Sequence, residues 1–224
     1  MSLKNNQIDR SPKRSASARE ILFGLLIMLC SMAMTNSVLA ANLTIKVADK
    51  ADGAVENTVV YLEAVNKTRL SNNQPTPASI EQKGRKFFPF VTVVQTGSNI
   101  SFPNRDTVRH HVYSFSPAKT FELKLYKDVP AAPVTFDKPG TVILGCNIHD
   151  QMVAFIHIVD TPYFAKTDHS GKAILSNVPN GAYNLKVWHY ALAEENKVVE
   201  KAVSLNGDQQ IALTLELKPF VLPK

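Results

Sequence analysis

Beyond residue 40 the chain offers no helix-period run of useful length. It breaks instead into short stretches rich in Val, Ile, Leu, Thr and Phe, set apart by Gly, Pro, Asn and Asp. Such a pattern restricts the fold to β-structure, and its breaker spacing points to all-β sandwiches. Three series of strands can be read. Leu43–Ala48 and Thr58–Ala64 flank the turn-rich segment Asp49–Gly53, which predicts a hairpin connection. After a polar, breaker-rich linker over Asn66–Pro77 comes a second series: Ile80–Gln82, Phe90–Gln95, Asn99–Phe102, His110–Phe115, Thr135–Phe136, Val142–Leu144 and Val153–Val159. The third runs over Tyr163–Lys166, Lys172–Leu175, Tyr183–Tyr190, Val198–Ser204 and Gln210–Leu217. Val153–Val159 is apolar on both alternating faces except at His157, so it is expected to be buried on both sides.

The first 40 residues read differently. Lys4, Arg10, Lys13, Arg14 and Arg19 make a basic head, Ile21–Met34 an apolar middle, and Val38-Leu39-Ala40-Ala41 a small-residue exit. This is the pattern of a secretory signal peptide over residues 1–40, with an uncleaved anchor as the alternative. The apolar run falls short of the roughly 20 residues a spanning helix needs, so no membrane span is expected in the mature protein. Without the leader, 20 Lys and Arg stand against 17 Asp and Glu, scattered along the chain, which argues against nucleic acid as a partner.

Of the two cysteines, Cys30 lies in the leader, so an exported mature chain carries Cys146 alone. A single thiol cannot form an internal disulfide and is a liability in an oxidising compartment unless something occupies it. Its neighbours suggest what does. Cys146, His149 and Met152 follow one another at three-residue spacings, with Gly145, Asn147 and Asp150 supplying turn chemistry. A thiolate, an imidazole and a thioether in one loop are three of the four ligands of a mononuclear copper site that cycles between Cu(I) and Cu(II). The second imidazole must come from elsewhere, and His110 and His111 are the candidates. Strand alternation turns them to opposite faces, so one at most is well placed.

The segments Phe88-Pro89, Val91–Val94, Gly97–Phe102, Asn104-Arg105-Asp106 and His110-His111-Val112, followed by Phe136, Pro139-Gly140-Thr141 and Cys146-x-x-His149-x-x-Met152, resemble a cupredoxin of the plastocyanin and amicyanin type over roughly Ala78–Asp160. The stretches His110–Lys119 and Leu144–Asp150 are especially similar to plastocyanin-like proteins labelled methylamine utilization proteins. The resemblance implies a Greek-key β-sandwich at 78–160, a single type 1 copper ion as cofactor, and His110, Cys146, His149 and Met152 as its ligands. Two positions depart from the family: His111 stands where an Asn usually ties the ligand loops together, and Leu144 where an aromatic residue is usual. His111 is then a buttress or surface histidine, or an extra ligand or outlet. His157 and His189 read as structural histidines, His169 as a turn residue, and Trp188 and Tyr190 as packing groups.

Thr167-Asp-x-x-Gly171 and Leu175-x-x-Val178-Pro179-x-Gly181-x-Tyr183-x-Leu185-x-Val187 resemble the carboxypeptidase regulatory-like, transthyretin-like β-sandwich over 161–224, and residues 42–66 look like its opening strands. The fold class expected is therefore a cupredoxin Greek-key sandwich plus a second small β-sandwich, preceded by a signal peptide. The two ends would form one sandwich with the cupredoxin inserted between them. No Ser-His-Asp order, carboxylate pair or phosphate loop stands out, so no enzyme is expected. The expected function is single-electron transfer in the periplasm with a redox protein, a cytochrome or a copper enzyme. The alternatives are a copper-storage or partner-docking module and, ranked last, catalysis at copper.

Overall fold

The computed structural model describes residues 40–66, 74–130, 132–194 and 197–222. The expected leader, including Cys30, lies outside the described residues except for Ala40, and most of the expected linker lies outside them too. The described chain is all β. Its first strands are β1 (Ala40–Asp49) and β2 (Val59–Ala64). Ten follow in the middle: β3 (Ala78–Ser79), β4 (Glu81–Gln82), β5 (Phe87–Phe88), β6 (Val91–Gln95), β7 (Ser98–Ser101), β8 (His110–Ser116), β9 (Lys119–Tyr126), β10 (Val134–Phe136), β11 (Gly140–Cys146) and β12 (Ala154–Val159). The last five are β13 (Phe164–Lys166), β14 (Lys172–Pro179), β15 (Gly181–Trp188), β16 (Val199–Leu205) and β17 (Gln209–Leu215). Among the described residues no helix is long and apolar enough to cross a membrane.

The middle strands build one sandwich. A five-stranded sheet in the order β6-β12-β11-β8-β9 faces a three-stranded sheet β10-β7-β3, and β4 and β5 form a separate hairpin. Between them Phe102 and Phe136 are fully buried with Ile80, Ile100, Val142, Leu144 and Ile156. The end strands build the other sandwich, with sheets β14-β1-β17 and β13-β2-β15-β16. Leu43, Ile45 and Val47 of β1 meet Val60 and Leu62 of β2 and Leu185 of β15 in its core.

Strands from the two ends of the described chain thus share sheets: β1 runs antiparallel to β14 and parallel to β17. The hairpin expected at Asp49–Gly53 is not formed. β2 pairs with β13 and β15, so the two flanking strands lie in different sheets. Asp49 still makes a tight turn, its carboxylate accepting the amides of Ala51 (2.8 Å) and Gly53 (2.9 Å). The turn sends the chain across the core instead of back along the same sheet, because each strand carries its own apolar face to bury.

β12 is buried on both faces, as its sequence suggested. Ala154, Ile156 and Ile158 enter the middle core, while Phe155 and Val159 pack with Val59, Tyr61 and Trp188 of the other sandwich. His157 lies in this second layer, stacked on Trp188 with ring centroids 4.7 Å apart and its Nδ1 3.1 Å from Thr141 Oγ1. His189 donates from Nε2 to the Glu56 carbonyl (3.2 Å) and accepts the Ala191 amide at Nδ1 (3.1 Å). His189 is thus satisfied at both nitrogens as a neutral imidazole, and His157 is held through Nδ1.

Burial lowers both His157 and His189 from the ordinary histidine value to about 4. Their depressed values make stability complete above pH 6.5 and progressively lost as pH falls toward 4, because the unfolded chain takes up protons that the folded one refuses. The loss reaches about 3 kcal/mol per ring. Urea unfolding of the metal-free protein at pH 7 and pH 4.5 measures it. His157→Phe is expected to retain a larger share of its pH 7 stability at pH 4.5 than the unsubstituted chain does.

Candidate metal centre

β8 and β11 are antiparallel neighbours, with Cys146 opposite Val112. Since side chains alternate along a strand, the face that takes Val112 also takes His110. His110 is fully buried and Cys146 is 3 % exposed. The loop after β11 then turns back: the Met152 amide donates to the His149 carbonyl (2.9 Å), which sets His149 beside the thiol. His110 Nδ1 and His149 Nδ1 each lie 3.9 Å from Cys146 Sγ, and the two rings are 5.1 Å apart at 61°. One donor atom from each of the three residues lies within 4.8 Å of the other two.

These separations fit an ion better than hydrogen bonds. Bonds of about 2.0 Å to nitrogen and 2.3 Å to sulfur, meeting at a wide angle, place the donors nearly 4 Å apart. One thiolate and two imidazoles are a donor set for a soft or borderline first-row ion such as copper. Met152 is fully buried in the same core as Cys146. His149 is only partly buried. Burial, then the neighbouring His110 ring and the Arg85 guanidinium, hold it below the ordinary histidine value, against the opposing pull of Asp106.

His111 points to the other face of the sheet. Its Nε2 is 2.9 Å from Glu122 Oε1 on β9, and its ring packs edge-on to Tyr113 (6.0 Å). Tyr113 in turn lies flat over Gly145. A Cβ at position 145 would come within 2.7 Å of the tyrosine ring, so any larger residue immediately before the cysteine would have to displace Tyr113.

Two residues that the sequence reading left without a role stand behind His110. Asp106 Oδ2 is 2.7 Å from His110 Nε2. The carboxylate also accepts the amides of Gly84 (2.6 Å) and Arg85 (2.9 Å) from the turn between β4 and β5. Burial alone would raise Asp106, but the Arg85 amide, the His110 ring and the Gly84 amide outweigh it and hold the carboxyl below the usual range. Asn104, 4 % exposed, accepts the Asp106 amide (2.9 Å) and donates to the carbonyls of Val108 (2.9 Å) and Tyr126 (3.1 Å). An acidic residue four positions before the buried histidine, in a loop opened by a buried Asn, was the available signal.

No protein-family model and no curated protein matches the chain. Solved structures do. A copper-containing nitrite reductase from Thermus scotoductus SA-01 is 23 % identical over 38 % of this chain, with a TM-score of 0.36. The match spans 23 % of the reductase. A pseudoazurin from Methylobacterium extorquens AM1 is 23 % identical over 38 % of this chain and 76 % of its own, at a TM-score of 0.32. A purple cupredoxin from Nitrosopumilus maritimus is 18 % identical over 37 % of this chain and 99 % of its own, at 0.33.

The opposite orientations of the two adjacent histidines give a direct comparison. His110→Ala is expected to weaken copper binding by more than about 100-fold, beyond what loss of an outer-sphere partner costs. His111→Ala is expected to leave it within a few-fold. Competition titration against a chelator of known affinity measures both, and equal losses would refute the assignment of faces.

Proposed function

We propose that the protein is an exported type 1 copper protein that passes single electrons to or from a redox partner in the periplasm. The observation that carries this reading is the convergence of His110, Cys146 and His149 around one point, with Met152 buried in the same core. Copper held there supplies one-electron chemistry between Cu(I) and Cu(II). His110, Cys146 and Met152 are closed to solvent, which keeps water away and fixes the donors in both oxidation states. Three strong donors with a thioether leave no position for a substrate, which supports a carrier over an enzyme. Export is supported by the signal-peptide pattern of residues 1–40.

His149 is the most accessible of the three, and its surroundings bear on the partner. It lines a cleft of about 530 Å³ with Arg85, Lys86, Phe88 and Phe90. Lys83, Arg85 and Lys86 are exposed at the tip of the β4–β5 hairpin, and Phe88 beside them is 50 % exposed. Asp150 is the acidic residue of that cleft. A basic rim around an apolar centre favours a redox partner, cytochrome or copper enzyme, whose docking face is acidic.

Metal analysis and a visible spectrum of the purified protein test the core of this reading. The expected result is one copper per chain and an intense blue oxidised form, lost in Cys146→Ser; a serine variant that keeps the full colour would refute the site. The rim is tested by oxidising the reduced protein with small complexes of opposite charge. Ferricyanide is expected to react faster than a cationic cobalt complex at low salt, with the gap closing as ionic strength rises past about 0.1 M. Reversing the three hairpin charges (K83E, R85E, K86E) should invert the preference.

A further inference from the structure

Behind the donor set, on the side away from Cys146, sits a carboxylate with no freedom to leave. Asp106 Oδ2 faces His110 Nε2 at 2.7 Å, and His110 is fully buried, so no solvent competes for that nitrogen. One of the carboxylate oxygens accepts the Gly84 amide and the other the Arg85 amide. The Asp106 main chain is pinned by Asn104, whose side chain is itself bonded to two carbonyls. A residue that merely closed the loop would need the two amides and nothing more. This one aims a held negative charge at the rear nitrogen of a ring whose front nitrogen, Nδ1, points at the thiol 3.9 Å away.

The chemistry of imidazole makes that arrangement consequential. A neutral ring carries its proton on one nitrogen and a lone pair on the other, and the partner of the first decides which is which. A carboxylate can only accept, so the proton belongs on Nε2 and the lone pair on Nδ1. A carboxylate bonded to the N–H of a ligating imidazole also increases the basicity of the opposite nitrogen.

We infer that Asp106 is a positioning residue for the metal centre: it locks His110 in the Nε2–H tautomer before any metal arrives, and it strengthens His110 as a donor once one is bound. The inference rests on the copper reading for its second half and is independent of it for the first. A stronger donor backed by negative charge favours the more highly charged Cu(II), so Asp106 lowers the reduction potential. The two amides of the basic β4–β5 hairpin tie that outer loop to the same carboxylate.

The tautomer is read first, in the metal-free full chain, from the ring nitrogen shifts of His110 by long-range ¹⁵N–¹H correlation at pH 7.5. A protonated Nε2 with an unprotonated Nδ1 is expected. A protonated Nδ1, or an averaged pair, would overturn the inference whatever the protein does with copper. Asp106→Asn keeps the side-chain shape and an acceptor oxygen while removing the charge. It is expected to remain folded and blue, with a reduction potential above that of the unsubstituted protein. An unchanged potential with a lowered melting temperature would reduce Asp106 to a loop-closing role and overturn the inference. Asp106→Ala should cost about 10–100-fold in copper affinity and leave His110 a mixture of tautomers. An unsubstituted protein that shows the Nε2–H tautomer and takes up no copper would refute the proposed function, and the donor-strength half with it, while supporting the tautomer lock.

Discussion

Everything at the candidate centre hangs on the register between β8 and β11. Cys146 sits opposite Val112, so the inward face of β8 that receives Val112 also delivers His110, 36 residues away in sequence, to the thiol. A slip of one residue would turn His110 outward and bring His111 in, without a change in composition or hydrogen-bond count. The apolar core of the middle sandwich resists such a slip, because Val112 would be driven into solvent with His110. His110 is thus held in place by a hydrophobic constraint that its own ring does not make. The ladder itself bends there, since the β8–β9 register shifts between His110 and Val112.

A second constraint comes from outside the middle sandwich. β12 and β2 are each buried on both faces, and the layer they share with Trp188 joins the two sandwiches through contacts as apolar as either core. Phe90, Phe155, Tyr190 and Phe220 extend it as an aromatic cluster with centroids 5.0–6.1 Å apart. His157 and His189 lie in this region, and burial holds both below the ordinary histidine value.

Legibility in the sequence followed the physics of each element. Strands with one or two apolar faces, such as β1, β12 and β17, announced themselves by alternation or by continuous burial. The loop donors were visible because Cys146, His149 and Met152 are local. Alternation also separated His110 from His111, whose ring turns to Glu122. β9 escaped notice: its Phe121 and Leu123 alternate with Thr120, Glu122 and Lys124, but its outer face is charged and it borders the sheet, so no dense apolar run marks it. The Asp49–Gly53 turn was recognised as a turn and misassigned as a hairpin, because turn chemistry fixes a reversal and not which sheet the next strand joins. Asp106 and Asn104 act through a folded loop and an amide pair donated from 22 and 21 residues away, a relation that spacing does not encode.

The interleaving of the two chain ends has a temporal side. The Asn42 amide donates to the Asp208 carboxylate across 166 residues, next to the parallel pairing of Leu43 with Gln209. β1 is the first described strand to leave any narrow exit in N-to-C order, and one of its two neighbours is the last described strand. Its edge on that side therefore stays unpaired until β17 has emerged. The middle sandwich draws all its strands from a contiguous stretch and closes with far shorter loops, so loop entropy lets it form first. The donor pocket is then assembled while the outer sheets are still open, and joining β1 to β17 is the late event that fastens the whole.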